Sequence, residues 1–530
     1  MPVGAGAAKY NRGMSTPPDL PSLVRRGHTY VRRGEYDKAA EVFSGAIDLD
    51  PLDAELLFLR GNAHAAGGDP AAAVADFTRA VDLRPDYAAA FHNRATARAE
   101  LGDLAEAVTD YTRAAELAPD DPDPLNGRGA ARSRLREYAA ALADFDAALA
   151  LAPQTFRALY NRANALSSLD RHADAVADYD AALALNPRHA RAYVYRALSL
   201  DDLGRGDEAF ADLATALRLH PTGPDAYWHR GRLWAARGDH AKAVADFTWV
   251  VRLDPVNAAA FNLRGVSQSE LGDPARAAAD FGEAVKLDPT DVAPVFNRGL
   301  SRVRLRDSDG ALADFTRAAE LAPDDPAVFI QRGYVHHERG DRDAAEADFG
   351  DAIRLLPDSP RGYVARAVSR RRSGDLTGAL LDATAGVERD DAGVGPLNLR
   401  GAIRSQLGDH AGALADHLAA KERDPDDPAT LNVLAWLRAT CPVDAIRDGA
   451  AAVTDATRAC ALTGYRVASY VDTLAAALAE VGDFAEAVRR QQEAMELAPP
   501  NQQADYATRR DRYAAGQPHR DTEGEPVAGA

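Results

Sequence analysis

Along most of this chain small and apolar residues return every third or fourth place, the spacing that lays them on one face of an α-helix. Ala39, Phe43 and Ala46 stand at i, i+4 and i+7, and Ala73, Phe77 and Ala80 repeat the arrangement. The blocks come in pairs, and the pairs recur. Aligned on Pro51, Pro85, Pro119, Pro153, Pro187, Pro221, Pro255, Pro289, Pro323 and Pro357, every step is 34 residues. With that proline as position 32, the first unit begins at Leu20, and each unit holds two amphipathic helices, A and B. Position 8 is Gly or Ala (Gly27, Gly61, Ala95 and on to Gly401) and position 20 is Ala from Ala39 to Ala413. Position 24 is mostly aromatic and position 27 mostly Ala. Small residues at 8 and 20 let A and B cross closely, one at 27 admits the next helix A, and the ring at 24 fills the space between. Gly34, Gly68, Gly102, Gly238, Gly272 and Gly340 at position 15 suit a left-handed residue ending helix A. The Asp that follows (Asp69, Asp103, Asp239, Asp273, Asp341) is placed to cap helix B. Asp121-Pro122, Asp325-Pro326 and Asp427-Pro428 set a cap residue before a proline at the first position of helix A.

This pattern divides the chain. Twelve regular units cover residues 20–427, a longer thirteenth covers 428–467, and a last unit covers 468–501. A helix over 502–515 is expected to cap the stack, between a flexible segment over 1–19 and a disordered tail over 516–530. In the eleventh unit Ala383, Gly386 and Asp391 replace the aromatic, the alanine and the proline, so looser or re-angled packing is expected there. Length alone, 530 residues, suggests about three or four globular domains. Tandem units replace that reading with one all-α array that grows by stacking.

Composition narrows the chemistry. Lys and Arg number 62 against 80 Asp and Glu, a net charge of −18, which argues against general binding to a nucleic-acid backbone. Two cysteines, Cys441 and Cys460, make neither a disulfide framework nor a four-cysteine zinc site, and they read as reduced thiols. No apolar run reaches the length of a membrane-spanning helix. The first twenty residues lack the basic start and apolar stretch of a signal peptide, so the cytoplasm is the expected compartment.

In length and at positions 8, 20, 24, 27 and 32 the units resemble tetratricopeptide repeats (TPR), over about nine-tenths of the chain. The block around Leu434 to Ala498 also resembles a C-terminal module of many bacterial TPR proteins, which implies a bacterial source. The resemblance implies a right-handed superhelical α-solenoid, with helix A lining a concave groove and helix B the convex face. It also implies a non-catalytic scaffold or adaptor that binds peptide segments or protein domains. A regulatory or recruiting subunit of a separately encoded enzyme is the alternative.

Two charged positions depart from the family pattern. Position 7, usually leucine, is arginine in all twelve regular units, among them Arg230, Arg264, Arg298 and Arg366. Position 23 is aspartate in units 2 to 13, among them Asp246, Asp280, Asp314 and Asp382. Both sit beside small packing positions, where an unpaired charge is costly, so pairing within a unit or with a touching neighbour is expected. An arrangement repeated this often reads as structural rather than catalytic.

The groove candidates stand at the positions that the resemblance turns inward. They are the rings Phe58, Tyr160, Trp228, Phe296 and Tyr334, with Arg134, Arg304, Arg371 and Arg372. Trp234, at position 11, reads as core instead. Helix A is richer in basic residues than helix B, which points to an acidic or mixed protein segment as partner and not to nucleic acid or membrane. The known TPR clamp for a chaperone tail needs Lys at position 5, and no unit has it. No phosphate-binding glycine loop, HExxH or GxSxG motif occurs in a suitable setting, so no enzyme, cofactor or metal site is expected. His336 and His337, adjacent on a helix, point apart.

Overall fold

The computed structural model describes residues 19–390 and 393–521. Residues 1–18, 391–392 and 522–530 lie outside the described residues, and with them Asp391, most of the expected flexible start and part of the expected tail. Two compact units divide the chain, Met1–Pro255 and Val256–Ala530. The first holds repeats 1 to 7; the second holds repeats 8 to 14 and a closing helix.

Among the described residues all regular structure is helical, in twenty-nine α-helices and one 3-10 turn. Repeat 7 pairs helix A, Pro224–Ala236, with helix B, His240–Leu253, and repeat 9 pairs Val292–Arg304 with Ser308–Leu321. Within each compact unit helix A packs on its own B, B packs on the next A, and helices A of most successive repeats touch. Helices A thus share one face. Repeat 13 joins Pro428–Thr440 to Gly449–Leu462 through the 3-10 turn Asp444–Ile446. Repeat 14 pairs Ala468–Glu480 with Phe484–Leu497, and Gln503–Ala514 closes the chain of helices.

Local chemistry explains the helix ends. The six glycines named at position 15 adopt positive φ, from 73° at Gly34 to 94° at Gly102, and so do Gly204, Gly374 and Gly408 at the same position. Asp69, Asp239 and Asp273 cap helix B by accepting from the N–H of Ala72, Lys242 and Arg276. Asp103 and Asp341, expected to cap, make no such bond. Asp341 instead lies 3.4 Å from Arg339, an ion pair that draws its carboxylate off the helix end.

Positions 8 and 24 form a single packing unit. A Cβ built on Gly265, Gly299 or Gly333 would lie 2.7–2.8 Å from Cε1 of Phe281, Phe315 or Phe349, so the ring edge occupies the space a side chain would need. Where position 24 is tyrosine, position 8 is alanine. There the ring tilts so that its hydroxyl meets position 9: Tyr179 donates to Asn164 Oδ1 at 2.6 Å, and the Tyr111 and Thr96 hydroxyls lie 2.9 Å apart.

Two expectations change. Repeat 11 lacks the ring, yet Ala383 is fully buried, because Ile403 of repeat 12 reaches in beside Ala367 and Ala379. The expected disordered tail does not begin at Gly516, since residues through Asp521 lie against repeats 13 and 14. Asp521 Oδ2 accepts from Trp436 Nε1 at 2.9 Å and from Thr440 Oγ1 at 2.7 Å, and Arg520 pairs with Glu480. The physical reason is the end of Pro428–Thr440: its carbonyls at Ala439 and Thr440 accept from Arg520 Nη1 and from the Asp521 N–H, which satisfies groups a helix leaves open.

Candidate functional site

In repeats 2 to 12 the ladder arginine pairs with the aspartate of its own repeat. Arg230 donates through Nε and Nη2 to the two carboxylate oxygens of Asp246, at 2.8 and 2.7 Å. Arg264 holds Asp280 at 2.7 Å through the same two nitrogens, and Arg298 holds Asp314 at 2.6 Å through Nη2. The carboxylates are buried, and this two-toothed geometry suits the guanidinium fork. Hydrogen bonding to Asp246 raises Arg230 above its ordinary value, against the opposing effect of burial. Repeat 1 carries Val42 at position 23, and its Arg26 is exposed.

Two further anchors of this ladder were missed from sequence. Position 11 supplies a second arginine: Arg98, Arg132, Arg302, Arg370 and Arg404 donate to the same aspartates at 2.6–2.8 Å. Position 11 lies one helical turn beyond position 7, so the signal was in the spacing. Position 25 of the preceding helix B supplies an acceptor: Arg60 reaches Ser44, Arg94 reaches Thr78, and Arg162 reaches Asp146 at 2.7 Å. The ladder therefore joins A to B within a repeat and stitches repeats together. Guanidinium donors engage both oxygens of these carboxylates, the geometry of structural ion pairs.

The groove rings all stand on helix A, half-buried, with an edge or face on a core ring. Phe58 packs on Phe77, Tyr160 on Tyr179, Trp228 on Phe247, Phe296 on Phe315 and Tyr334 on Phe349, with centroids 5.4–6.2 Å apart. The first three belong to the first compact unit and the last two to the second. Sequence reading missed that Tyr160 is the centre of a larger cluster with Phe156, His189 and Tyr195. It also missed His92, which meets Tyr111 edge-on. Trp234 is half-buried, its ring 4.2 Å from that of Phe210 in repeat 6.

The groove arginines divide. Arg134 and Arg304, both exposed, donate to the carbonyls of Ala99 and Ser269 near the end of the preceding helix A. Arg371 bonds Gln406 Oε1 at 3.0 Å, and burial holds it below its ordinary value. Arg372 is exposed. Polar side chains link neighbouring helices A on the same face: Asn93 donates to Asn62 at 2.7 Å, Asn161 to Asn126 at 3.2 Å and Asn297 to Asn262 at 3.3 Å.

Among the described residues no three His, Cys, Asp or Glu side chains gather to hold a metal ion. His336 lies toward Asp341 and Asp348 while His337 meets the Ser369 hydroxyl, so the pair does point apart. Cys441 and Cys460 are buried and unbonded, and burial pushes the Cys460 thiol up to about 11. No helix among the described residues is long and apolar enough to cross a membrane.

These features define an all-helical protein of tandem helix pairs. A family model described as tetratricopeptide repeat matches nine segments, from 24–88 to 330–394, and the chain belongs to that family. Such repeats build protein-interaction scaffolds, and proteins made of them are in general non-catalytic. No curated protein matches the chain. Solved structures similar to it include a tetratricopeptide repeat protein from Parabacteroides merdae, 22 % identical over 47 % of this chain and 98 % of that one, with a TM-score of 0.39. Cut9–Hcn1, from the APC/C hetero-tetramer, is 16 % identical over 93 % of this chain and 96 % of that one, at 0.38. YrrB, a TPR protein with an unusual peptide-binding site, is 23 % identical over 36 % of this chain and 97 % of that one, at 0.34.

Proposed function

We propose that this protein is a non-catalytic scaffold or adaptor that binds peptide segments or protein domains on its helix-A face. The observation that supports this reading is the row of half-buried rings, Phe58, Tyr160 and Trp228 in one compact unit and Phe296 and Tyr334 in the other. Each ring is held at its rear by a core ring, so little side-chain entropy is lost when a partner covers its front. Aromatic anchors of this kind carry most of the energy in protein interfaces. The partner we favour is an acidic or mixed segment in the cytoplasm, because the free charges on that face include Arg372 and the exposed, position-2 residues Arg157, Arg191 and Arg361.

The test is a pull-down with wild type beside Trp228→Ala and Arg371→Glu. Loss of a captured protein in either variant supports groove binding. Retention of every captured protein in both refutes groove binding in this form. A single stoichiometric enzyme as the main captured species would favour the alternative, a recruiting or regulatory subunit.

A further inference from the structure

A cleft of about 520 Å³ opens on the helix-A face of the second compact unit, between repeats 10 and 11. Ile330, Tyr334, Leu356 and Val364 form its apolar wall, and Gln331 and Ser359 add polar groups to the lining. Two small residues border it. Position 2 is Ala327 in repeat 10, where repeats 2, 5 and 6 carry Glu55, Arg157 and Arg191. Position 3 is Gly362 in repeat 11, and its backbone lies so near helix B of repeat 10 that a Cβ would come within 2.8 Å of Ile353 Cγ1.

Two exposed arginines stand on helix A of repeat 11. Arg361 lines the cleft and is exposed; Arg372, one helix length further on, is also exposed. Arg372 stands on the same helix as Arg361 and Val364, which line the cleft. Neither arginine has an ion-pair partner among the described contacts, unlike the ladder arginines of the same helix, Arg366 and Arg370. The one carboxylate in the lining, Asp325, accepts from the Ala327 N–H at 2.9 Å as a helix cap, so its charge faces the positive end of helix A of repeat 10. The cleft thus combines ample room for a large apolar side chain and the backbone beside it with two exposed arginines that have no ion-pair partner among the described residues.

We propose, resting on the scaffold reading above, that this cleft receives one large apolar side chain, leucine or phenylalanine, from an acidic peptide segment whose carboxylates meet Arg361 and Arg372. Burial of the side chain supplies affinity, and the arginines select the flanking charge.

The experiment measures fluorescence anisotropy of short fluorescein-labelled peptides of Asp and Glu with one central residue, titrated with the full chain. The peptide with central leucine is expected to bind, and its central-alanine version to bind about tenfold more weakly. A leucine peptide flanked by Lys and Arg is expected not to bind. Ile330→Glu fills the cleft with a carboxylate, and Arg361→Glu with Arg372→Glu reverses the charge at two exposed sites that do not endanger folding. Each is expected to weaken the acidic leucine peptide about tenfold. Arg276→Ala, on helix B of repeat 8, is expected to bind like wild type. Absence of binding, or binding that survives both cleft variants, overturns the proposal. Self-association abolished by Ile330→Glu also overturns it, because a second copy then fills the cleft. A partner lost from Trp228→Ala but kept by Ile330→Glu overturns the cleft proposal while leaving the scaffold reading intact.

Discussion

Replacing Arg230 tests the ladder most cleanly, because its pair stands alone. Asp246 is 4 % exposed and receives both of its side-chain hydrogen bonds from Arg230. Position 11 of that repeat is Trp234, so no second arginine takes over. Removing one partner of a buried pair costs about 3–5 kcal/mol. The Arg230 side chain is 26 % exposed, so water reaches the site and the lower end, about 3 kcal/mol, applies to Arg230→Leu. Arg298→Leu is expected to cost about half as much, because Arg302 still donates to Asp314 at 2.6 Å. Asp246→Leu leaves a long side chain that can reach solvent, and the double variant replaces the pair by apolar surface, so each costs about 1–2 kcal/mol. The resulting coupling is about 2–3 kcal/mol in repeat 7 and about 1 kcal/mol in repeat 9. Repeat arrays do not unfold as one unit, so the assay is native-state hydrogen exchange read separately on His240–Leu253 and Ser308–Leu321. Equal costs in the two repeats, or coupling below about 0.5 kcal/mol in repeat 7, would refute the reasoning.

Three other outcomes follow from the same geometry. His417 takes the place of the ring at position 24, and burial lowers it to about 4 from an ordinary 6.5, so the unfolded chain binds its proton first and stability falls as pH drops from 6.5 toward 4, by up to about 3 kcal/mol. His417→Phe, which suits Gly401 at position 8, is expected to flatten that dependence; urea midpoints at neutral and mildly acid pH check it, and an unchanged slope counts against it. Gly265→Ala is expected to cost about 2 kcal/mol by overpacking Phe281, and adding Phe281→Leu, after the Ala197 and Leu213 pairing of repeat 6, should restore most of it, as read by thermal melts. Truncation after Gly516 strips Asp521 from Trp436 and Thr440 and should lower protection in Pro428–Thr440 by about 1–2 kcal/mol, measured by hydrogen exchange.

The helix pairs were legible because their causes are local. Apolar spacing, a glycine at position 15 and a proline at position 32 act within one repeat. The ion-pair ladder was half legible: burial demanded a partner for Arg230, but sequence left open the same repeat or a touching one. Geometry resolves both, with Asp246 in the same repeat and, for Arg60 or Arg162, an acceptor on the preceding helix B. The basic clusters were legible only in part. Arg302 and Arg370 follow position 7 by one turn and so serve the ladder, whereas Arg304 reaches a carbonyl 35 residues back, which depends on how one repeat leans on the next. The docked end was not legible at all, since Trp436 and Asp521 lie 85 residues apart and nothing local marks them as partners.

Those differences locate where function can reside. Positions 7, 8, 20, 23 and 24 are nearly uniform from repeat to repeat, and the structure uses them internally, as ladder, close crossing and core ring. A uniform position cannot distinguish one repeat from another, so it cannot specify a partner. Positions 2, 5, 9 and 13 of helix A vary freely, from Ala327 to Arg361 at position 2 and from Asn126 to Trp228 at position 5. They lie on the face that the ladder leaves open. Counting charge over whole helices therefore overstates how basic that face is, because the arginines at 7 and 11 are neutralised against aspartate. The charge a partner meets is set by exposed residues such as Arg157, Arg191, Arg361 and Arg372, and these cluster beside the rings of repeats 5 and 6 and the cleft of repeats 10 and 11. Selectivity along this array is then a matter of which repeat pairs combine a ring or cleft with an unpaired arginine.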